Sequence, residues 1–335
     1  MVFSLLITTI PVAYSAATTV DFAPRQTVKL INETFSLNVT LSDVTNLNAW
    51  QTTISFNPEI LNCTGILIPS DNIFAGYNTF NASVINNTIG QLTVFCALEG
   101  NTGVNGSGKL VTIEFKGKNI GVTSLNFLNL MQIRLDGTYL QDPNYNVIPA
   151  QFTIGIIEIV SGDFQLNMFD VTQDTTVFKV GIRTNSTITD FQFNQTFKEL
   201  TYNATGLTGT TGGSIVTIPK DLLNDTLLIL LDGIPTRIFI SSLKTLTQNS
   251  THCFTYFNYT HSTRNIKIRL TLPGDLTGDR KVDVKDVAIV AKSFGSTPGW
   301  GRWDPLADLD CNYKIDVKDV AFVAKNYGKI LTPSN

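Results

Sequence analysis

At 335 residues the chain has the length for two or three domains, and its composition favours strands: 43% of residues are hydrophobic, only 15% are charged, and Thr, Asn, Val, Ile and Phe are abundant. A formal net charge of −3 leaves no basic footprint, which argues against a nucleic-acid partner. Two His and three Met supply little material for general-base or redox chemistry.

Residues 1–15 form a short apolar run that ends in small residues at Ala13 and Ser15. This reads as a signal peptide cleaved after Ser15; it lacks a Lys or Arg at its start, so a first β-strand is the alternative. No later run reaches the ~18 apolar residues that a membrane span needs, so none is expected. Twelve Asn-x-Ser/Thr sequons lie between Asn32 and Asn258, more than Asn- and Thr-rich composition alone accounts for. A secreted, cell-surface glycoprotein is the expectation.

Residues 26–160 read as a β-sandwich. Thr34–Leu41 and Gln51–Phe56 alternate with period two, Asn57-Pro58 breaks the chain, and further strands are expected near 92–97, 109–115, 124–130 and 151–160. Gly100–Gly108 reads as a turn cluster. Trp50 is assigned to the core. Cys63 and Cys96 fall in this unit and are candidates for pairing in an oxidising compartment, whereas Cys253 and Cys311 carry no assignment.

Residues 161–272 read as a second sandwich, with strands near 177–183, 188–193, 198–202, 214–218, 226–231, 253–259 and 265–270, and a flexible turn at Gly206–Gly213. His252 and His261 are expected at strand ends in structural roles. A metal or catalytic pair is the alternative, but no third ligand or nucleophile can be placed beside them. Pro273-Gly274 marks a linker.

The last stretch, 273–335, holds one pattern written twice. Asp275–Gly295 and Asp308–Gly328 are offset by 33 residues and share the string Asp-Val-Lys-Asp-Val-Ala. Side-chain oxygens fall at loop positions one, three, five, nine and twelve: Asp275, Thr277, Asp279, Asp283 and Asp286, then Asp308, Asp310, Asn312, Asp316 and Asp319. The carbonyls of Lys281 and Lys314 stand at position seven. Such alternation wraps a short loop around a hard cation with oxygen ligands, and without paired His or Cys to suggest zinc, two calcium ions are expected. Each loop leads into a helix, with Val287, Val290, Ala291 and Phe294 at helical spacing, repeated by Val320, Val323, Ala324 and Tyr327. Gly295 and Gly328 are placed to end them.

This repeat resembles a type I dockerin, the calcium-dependent module that docks onto cohesin domains in cellulosome-type assemblies. The resemblance spans 273–335 and implies a small helical unit with two EF-hand-like calcium loops. Two departures stand out. The family usually has Gly at loop position six, where Arg280 and Tyr313 stand here. Its partner-facing pair at positions ten and eleven is often hydroxylic, but here it is Val284-Lys285 and Val317-Lys318. Because both copies carry the same pair, either helix could face the partner.

The N-terminal unit is similar to the cohesin and carbohydrate-binding sandwich superfamily, on Phe35–Val44, Asn46–Gln51, Ile54–Leu61 and Gly108–Phe115. The middle unit resembles a β module of archaeal secreted surface proteins, on Gly209–Gly212, Val216–Leu223, Thr251-His252 and Phe257–Ser262. Together these imply a mainly β chain of two immunoglobulin-like or cohesin-like sandwiches followed by a dockerin. The expected function is non-catalytic extracellular assembly, with a cohesin-like domain of another protein, or of another copy, as partner. The alternative is a carbohydrate-binding component of polysaccharide breakdown, or an adhesin, using Tyr77, Phe80, Tyr139 and Tyr145 in loops. A glycosidase would need two carboxylates facing across a cleft, and no pair is marked by context, so no enzyme is expected.

Overall fold

The computed structural model describes residues 17–128, 137–240 and 246–332. The expected signal peptide lies outside them. No helix among the described residues is long and apolar enough to cross a membrane.

The first sandwich comprises β1 (Thr19–Ala23), β2 (Gln26–Leu30), β3 (Thr34–Leu47), β4 (Ala49–Ser55), β5 (Leu61–Leu67), β6 (Thr79–Asn86), β7 (Gln91–Leu98), β8 (Val104–Gly117), β9 (Gly121–Phe127), β10 (Tyr139–Gln141), β11 (Val147–Ile148), β12 (Gln151–Phe152) and β13 (Gly155–Val160). One sheet runs β12-β1-β3-β8-β5. The other runs β11-β10-β4-β9-β13-β2, with β7 beside β4 and β6 beside β7. The alternation of β3 explains the packing: Phe35, Leu37, Val39 and Leu41 point inward and meet Trp50 and Ile54 in one core. Trp50 is fully buried, as its setting suggested.

Several boundaries differ from expectation. The sandwich takes in β1, ahead of residue 26, because Thr19–Ala23 pairs with β3. The glycine cluster at 100–108 is only in part a turn, since Val104–Gly108 opens β8 and pairs with β3 across bulges. Tyr139 is not in a loop but buried in β10. Cys63 and Cys96 are buried free thiols on β5 and β7, and the pairing considered for them is not formed. Cys253 is likewise buried and free, while Cys311 is free and exposed.

The second sandwich comprises β14 (Gln165–Gln173), β15 (Thr176–Thr184), β16 (Thr187–Asn194), β17 (Glu199–Thr205), β18 (Thr211–Pro219), β19 (Leu227–Leu231), β20 (Ile234–Phe239), β21 (Thr247–Gln248), β22 (His252–Thr260) and β23 (Thr263–Leu270). Its sheets run β14-β15-β18-β22-β21 and β16-β17-β23-β19-β20 over a second core that includes Ile182, Tyr202, Val216 and Ile268.

β13 explains how the two sandwiches join. Its six residues are all buried. Ile157 and Ile159 enter the first core. Ile156 and Val160 on the opposite face pack with Val122 against Phe164, Ile215 and Phe254 of the second sandwich. A strand covered on both faces reads as a continuous apolar run. The charged exception, Glu158, accepts from Gln26 Nε2 at 2.9 Å and from Arg183 Nε at 3.1 Å.

Two helices complete the chain: α1 (Val284–Ser293) and α2 (Val317–Asn326). They share a core of Leu276, Val282, Val290, Leu309, Ile315 and Val323, into which Ile240 of the second sandwich is also buried. Val290 and Val323 are inward as the spacing predicts, but Ala291, Phe294, Ala324 and Tyr327 are exposed. The buried stripe instead passes through Asp286 and Ser293, and through Asp319 and Asn326. Pro273-Gly274 is no free linker, because a Cβ on Gly274 would lie 3.2 Å from the Val323 Cα.

Candidate functional site

Each helix begins in the same way. Asp283 accepts from the Lys285 N–H at 2.8 Å, and its own N–H donates to Asp286 Oδ2 at 2.8 Å. Asp316, Lys318 and Asp319 repeat both bonds at 2.8 Å. These are capping boxes, with a carboxylate at each helix N-terminus. The carboxylate at loop position twelve also reaches back across its loop. Asp286 Oδ1 accepts from the N–H groups of Leu276 and Thr277 at 2.8 and 2.9 Å, and Asp319 Oδ1 accepts from Leu309 N–H at 2.8 Å.

The first residue of each loop organises the turn. Asp275 accepts from the N–H groups of Gly278, Asp279 and Arg280, at 2.7, 3.1 and 2.9 Å, and from the Thr271 hydroxyl. Asp308 accepts from Asn312 and Tyr313 N–H at 3.1 and 3.0 Å. Arg280 and Tyr313 then take φ of 69° and 64°. This left-handed turn is cheapest for Gly, yet Arg280 and Tyr313 hold it in both loops.

In the second loop, carboxylate oxygens of Asp308, Asp310 and Asp319 lie within 4.8 Å of one another. Burial pushes the Asp308 carboxyl above the usual range; bonds from Tyr313 and Asn312 oppose this, and the charges of Asp319 and Asp310 add to it. Burial raises Asp275 as well, opposed by its bonds from Thr271 and Arg280 and reinforced by the charge of Asp286. Asn312 Nδ2 donates to Asp310 Oδ2 at 2.9 Å, and its Oδ1 accepts from Lys314 N–H at 2.8 Å. In the first loop, Thr277 Oγ1 lies 3.1 Å from Asp286 Oδ1, while Asp279 accepts from Lys281 N–H at 3.1 Å and faces Lys285 Nζ at 3.4 Å. Two buried carboxylates at opposite ends of each loop, with oxygens between them, are a donor set suited to a hard divalent cation.

Two exposed surfaces stand apart from the loops. The helices present Val284-Lys285 and Val317-Lys318 to solvent, with the two valines 66% and 68% exposed. On the first sandwich, β6 is exposed along nearly its whole length. It pairs with β7 so that Phe80 stands opposite Ala97, Ala82 opposite Phe95 and Val84 opposite Thr93 on one face. Phe80 and Val84 are 64% and 68% exposed, and the Phe80 ring lies 6.2 Å from Phe95.

Residues 26–131 match the family model of the cohesin domain. No curated protein matches the chain. Among solved structures it is similar to a non-cellulosomal cohesin from the hyperthermophilic archaeon Archaeoglobus fulgidus, at 18% identity over 44% of this chain and 93% of that one, with a TM-score of 0.33. A type II cohesin domain from the cellulosome of Acetivibrio cellulolyticus gives 16%, 42%, 95% and 0.36 in the same order. A type I cohesin–dockerin complex from Clostridium thermocellum gives 11%, 43%, 100% and 0.35.

The aromatic residues considered as a sugar platform do not form one strip on the first sandwich. Tyr77, Phe80 and Tyr145 are exposed, but Tyr139 is buried. The two histidines are not a pair either. They flank opposite ends of the nine-residue β22, roughly 30 Å apart at about 3.3 Å per residue. His261 is buried, with Nε2 2.8 Å from Ser186 Oγ and Nδ1 2.5 Å from Thr210 Oγ1.

Sequence reasoning missed what anchors the helical unit. The Arg280 guanidinium lies over the Phe197 ring at 4.4 Å, donates to the Phe197 carbonyl at 3.3 Å, and stands 3.8 Å from Glu199. Position six in the first loop thus grips the second sandwich. The departure from Gly was the available signal, but its partner stands some 80 residues earlier.

Proposed function

We propose that this chain is a non-catalytic extracellular assembly protein, in which a C-terminal dockerin-like unit binds two calcium ions and docks onto a cohesin domain of another protein or of a second copy. The observation that carries this reading is the presence in one chain of a cohesin-model match at 26–131 and a twice-written loop-helix unit, in whose second loop the carboxylates of Asp308, Asp310 and Asp319 converge.

Calcium would supply the positive charge that the converging carboxylates lack. The first ion would be held by Asp275, Thr277, Asp279, the Lys281 carbonyl, Asp283 and Asp286. The second would be held by Asp308, Asp310, Asn312, the Lys314 carbonyl, Asp316 and Asp319. Around these ions the caps orient α1 and α2, so that Val284-Lys285 and Val317-Lys318 stand outward as equivalent contact points. On the cohesin side, the β6–β7 face with exposed Phe80 and Val84 beside half-buried Phe95 is the surface we assign to the contact. Docking between copies would be head to tail and would build rings or filaments. The sequons and the sandwich architecture support an extracellular setting, and no catalytic pair is part of the reading.

Sedimentation velocity of the full chain, in millimolar calcium and in chelator, tests it. Concentration-dependent oligomers in calcium that revert to monomer in chelator, and that Phe80→Asp abolishes, are expected. A monomer under all conditions refutes docking between copies and leaves the cohesin domain of another protein as the partner. Absence of calcium uptake by calorimetry refutes the loop assignment itself.

A further inference from the structure

Three cavities lie in a row where the cohesin domain, the second sandwich and the helical unit meet. The middle one, of about 460 Å³, shares Arg237, Cys311 and Tyr313 with a cavity of about 440 Å³ on one side. It shares Ser55, Ser124 and Asn126 with one of about 610 Å³ on the other. The outer two have no lining residue in common, so the three follow one another as a continuous trough.

Its chemistry is graded along its length. The end formed by the helical unit has a wall of Trp303, Pro298 and Pro305. The far end is walled by Phe127 and Phe152. Between them the floor is polar and mostly neutral, with Ser55, Asn57, Asn126 and Thr247. Arg237 is the one cation lining the middle cavity, and Asp310 is its one anion. Tyr313, 64% exposed, stands where the middle cavity meets the first.

Three classes of occupant can be compared. A phosphate polymer needs several cations, and one Arg together with Asp308 and Asp310 does not attract it. An extended peptide gains most of its affinity from a free strand edge. The floor strand β9 has none to offer, since Asn126 pairs with Ser55 of β4 and Ser124 pairs with Ile156 of β13. Recognition must come from side chains. Neutral hydroxyls and amides between aromatic walls suit a chain that offers hydroxyls around its edge and flat C–H faces, and Asn126 is already oriented by its 2.8 Å bond to Ser124 Oγ.

We infer that this trough binds a linear neutral oligosaccharide, with Arg237 and Asn126 bonding its hydroxyls and Tyr313 stacking on a sugar face. The site is separate from the β6–β7 face, and it uses the second loop as a wall.

Calorimetric titration of the full chain in calcium decides the matter. The probes are neutral hexasaccharides of β-glucan, mannan, xylan and chitin, with a heparin hexasaccharide and an unstructured decapeptide as comparisons. At least one neutral hexasaccharide should bind with a Kd in the range of about 10 µM to 1 mM. Arg237→Ala and Tyr313→Ala should each weaken it about tenfold or more, Tyr313→Phe should retain it, and Phe80→Asp should leave it unchanged. Calcium uptake measured on the same variants separates loss of the trough from loss of the loops. Failure of all neutral probes, tighter binding of heparin or peptide, or saccharide binding that survives both alanine variants overturns the inference.

Discussion

Arg280 and Phe197 stack with the guanidinium 4.4 Å from the ring centroid, although one residue sits at position six of a loop of the helical unit and the other belongs to the second sandwich. The equivalent residue in the other loop, Tyr313, has the same left-handed backbone but stands exposed beside the trough. The duplicated unit is therefore used asymmetrically. One copy spends its unusual position-six side chain on attachment, and the other keeps it accessible.

This asymmetry separates two glycine substitutions. Tyr313→Gly removes backbone strain and loses little packing, so it should stabilise the helical unit by about 0.5–1 kcal/mol. Arg280→Gly gains the same relief but gives up the cation–π contact, about 1 kcal/mol, and the packing of its stem. Its net effect should be near zero or destabilising by about 1 kcal/mol. Urea unfolding followed by helical circular dichroism compares them, and equal stabilisation by both would contradict the anchoring role of Arg280.

Glu199 is the hub of that anchor. Its oxygens lie 3.5 Å from Lys267, 3.5 Å from Arg269 and 3.8 Å from Arg280. Arg280 is pushed below the usual guanidinium range by burial first and by Arg269 second, with Glu199 and then Asp275 opposing both. Glu199→Gln removes the larger of the two opposing charges and leaves Asp275, and with partial exposure discounted the expected cost is about 1–2 kcal/mol. The loss should shrink in Arg269→Gln, because the like-charge pair is then gone. A double-mutant cycle in thermal unfolding measures this coupling.

Asp286 and Asp319 serve cap and loop together, which sets a third expectation. Asp286→Ala and Asp319→Ala should each weaken calcium uptake at their own loop by tenfold or more. Each should also lower the stability of the calcium-free unit by about 1 kcal/mol through the lost cap. Asp286→Asn keeps a side-chain oxygen for the N–H groups of Leu276 and Thr277, so it should spare much of that stability while still weakening calcium. Calorimetry and thermal unfolding in chelator give the two readouts. Full calcium uptake by all three variants would remove these carboxylates from the ligand set.

What was legible in the sequence follows the range of the forces involved. The alternation of Thr34–Leu41 and the repeated Asp-Val-Lys-Asp-Val-Ala are local patterns, and strand β3 and the two helices appear where those patterns lie. β6 was not foreseen although Phe80, Ala82 and Val84 alternate with Thr79, Asn81 and Ser83: the run is short, ends in Ile85-Asn86, and its apolar face stays exposed instead of entering a core. β14 was missed as well: it is largely exposed at the edge of its sheet, and its apolar alternation changes phase between Met168 and Phe169. Ala291 and Phe294 were assigned inward by spacing alone, but Asp286 occupies the buried stripe because it must reach the loop N–H groups. The anchor of Arg280 and the trough between units depend on contacts between distant segments, which no local period encodes.

The contact between the sandwiches makes the last expectation. Ile156 is buried against Phe164, Ile215 and Phe254, outside both sandwich cores. Ile156→Ala should therefore cost about 2–4 kcal/mol through lost burial and a residual cavity. Glu158, beside it, pairs with Arg183, whose side chain is 20% exposed. Glu158→Ala would strand that guanidinium, at a cost of about 2 kcal/mol after allowing for its access to water. Both substitutions act on the joint, so each should lower the first of two unfolding transitions or separate transitions that coincide in the unmodified chain. Differential scanning calorimetry reads this directly. A single transition shifted without any separation would mean that the sandwiches unfold as one unit, and that the apolar face of β13 is part of a common core.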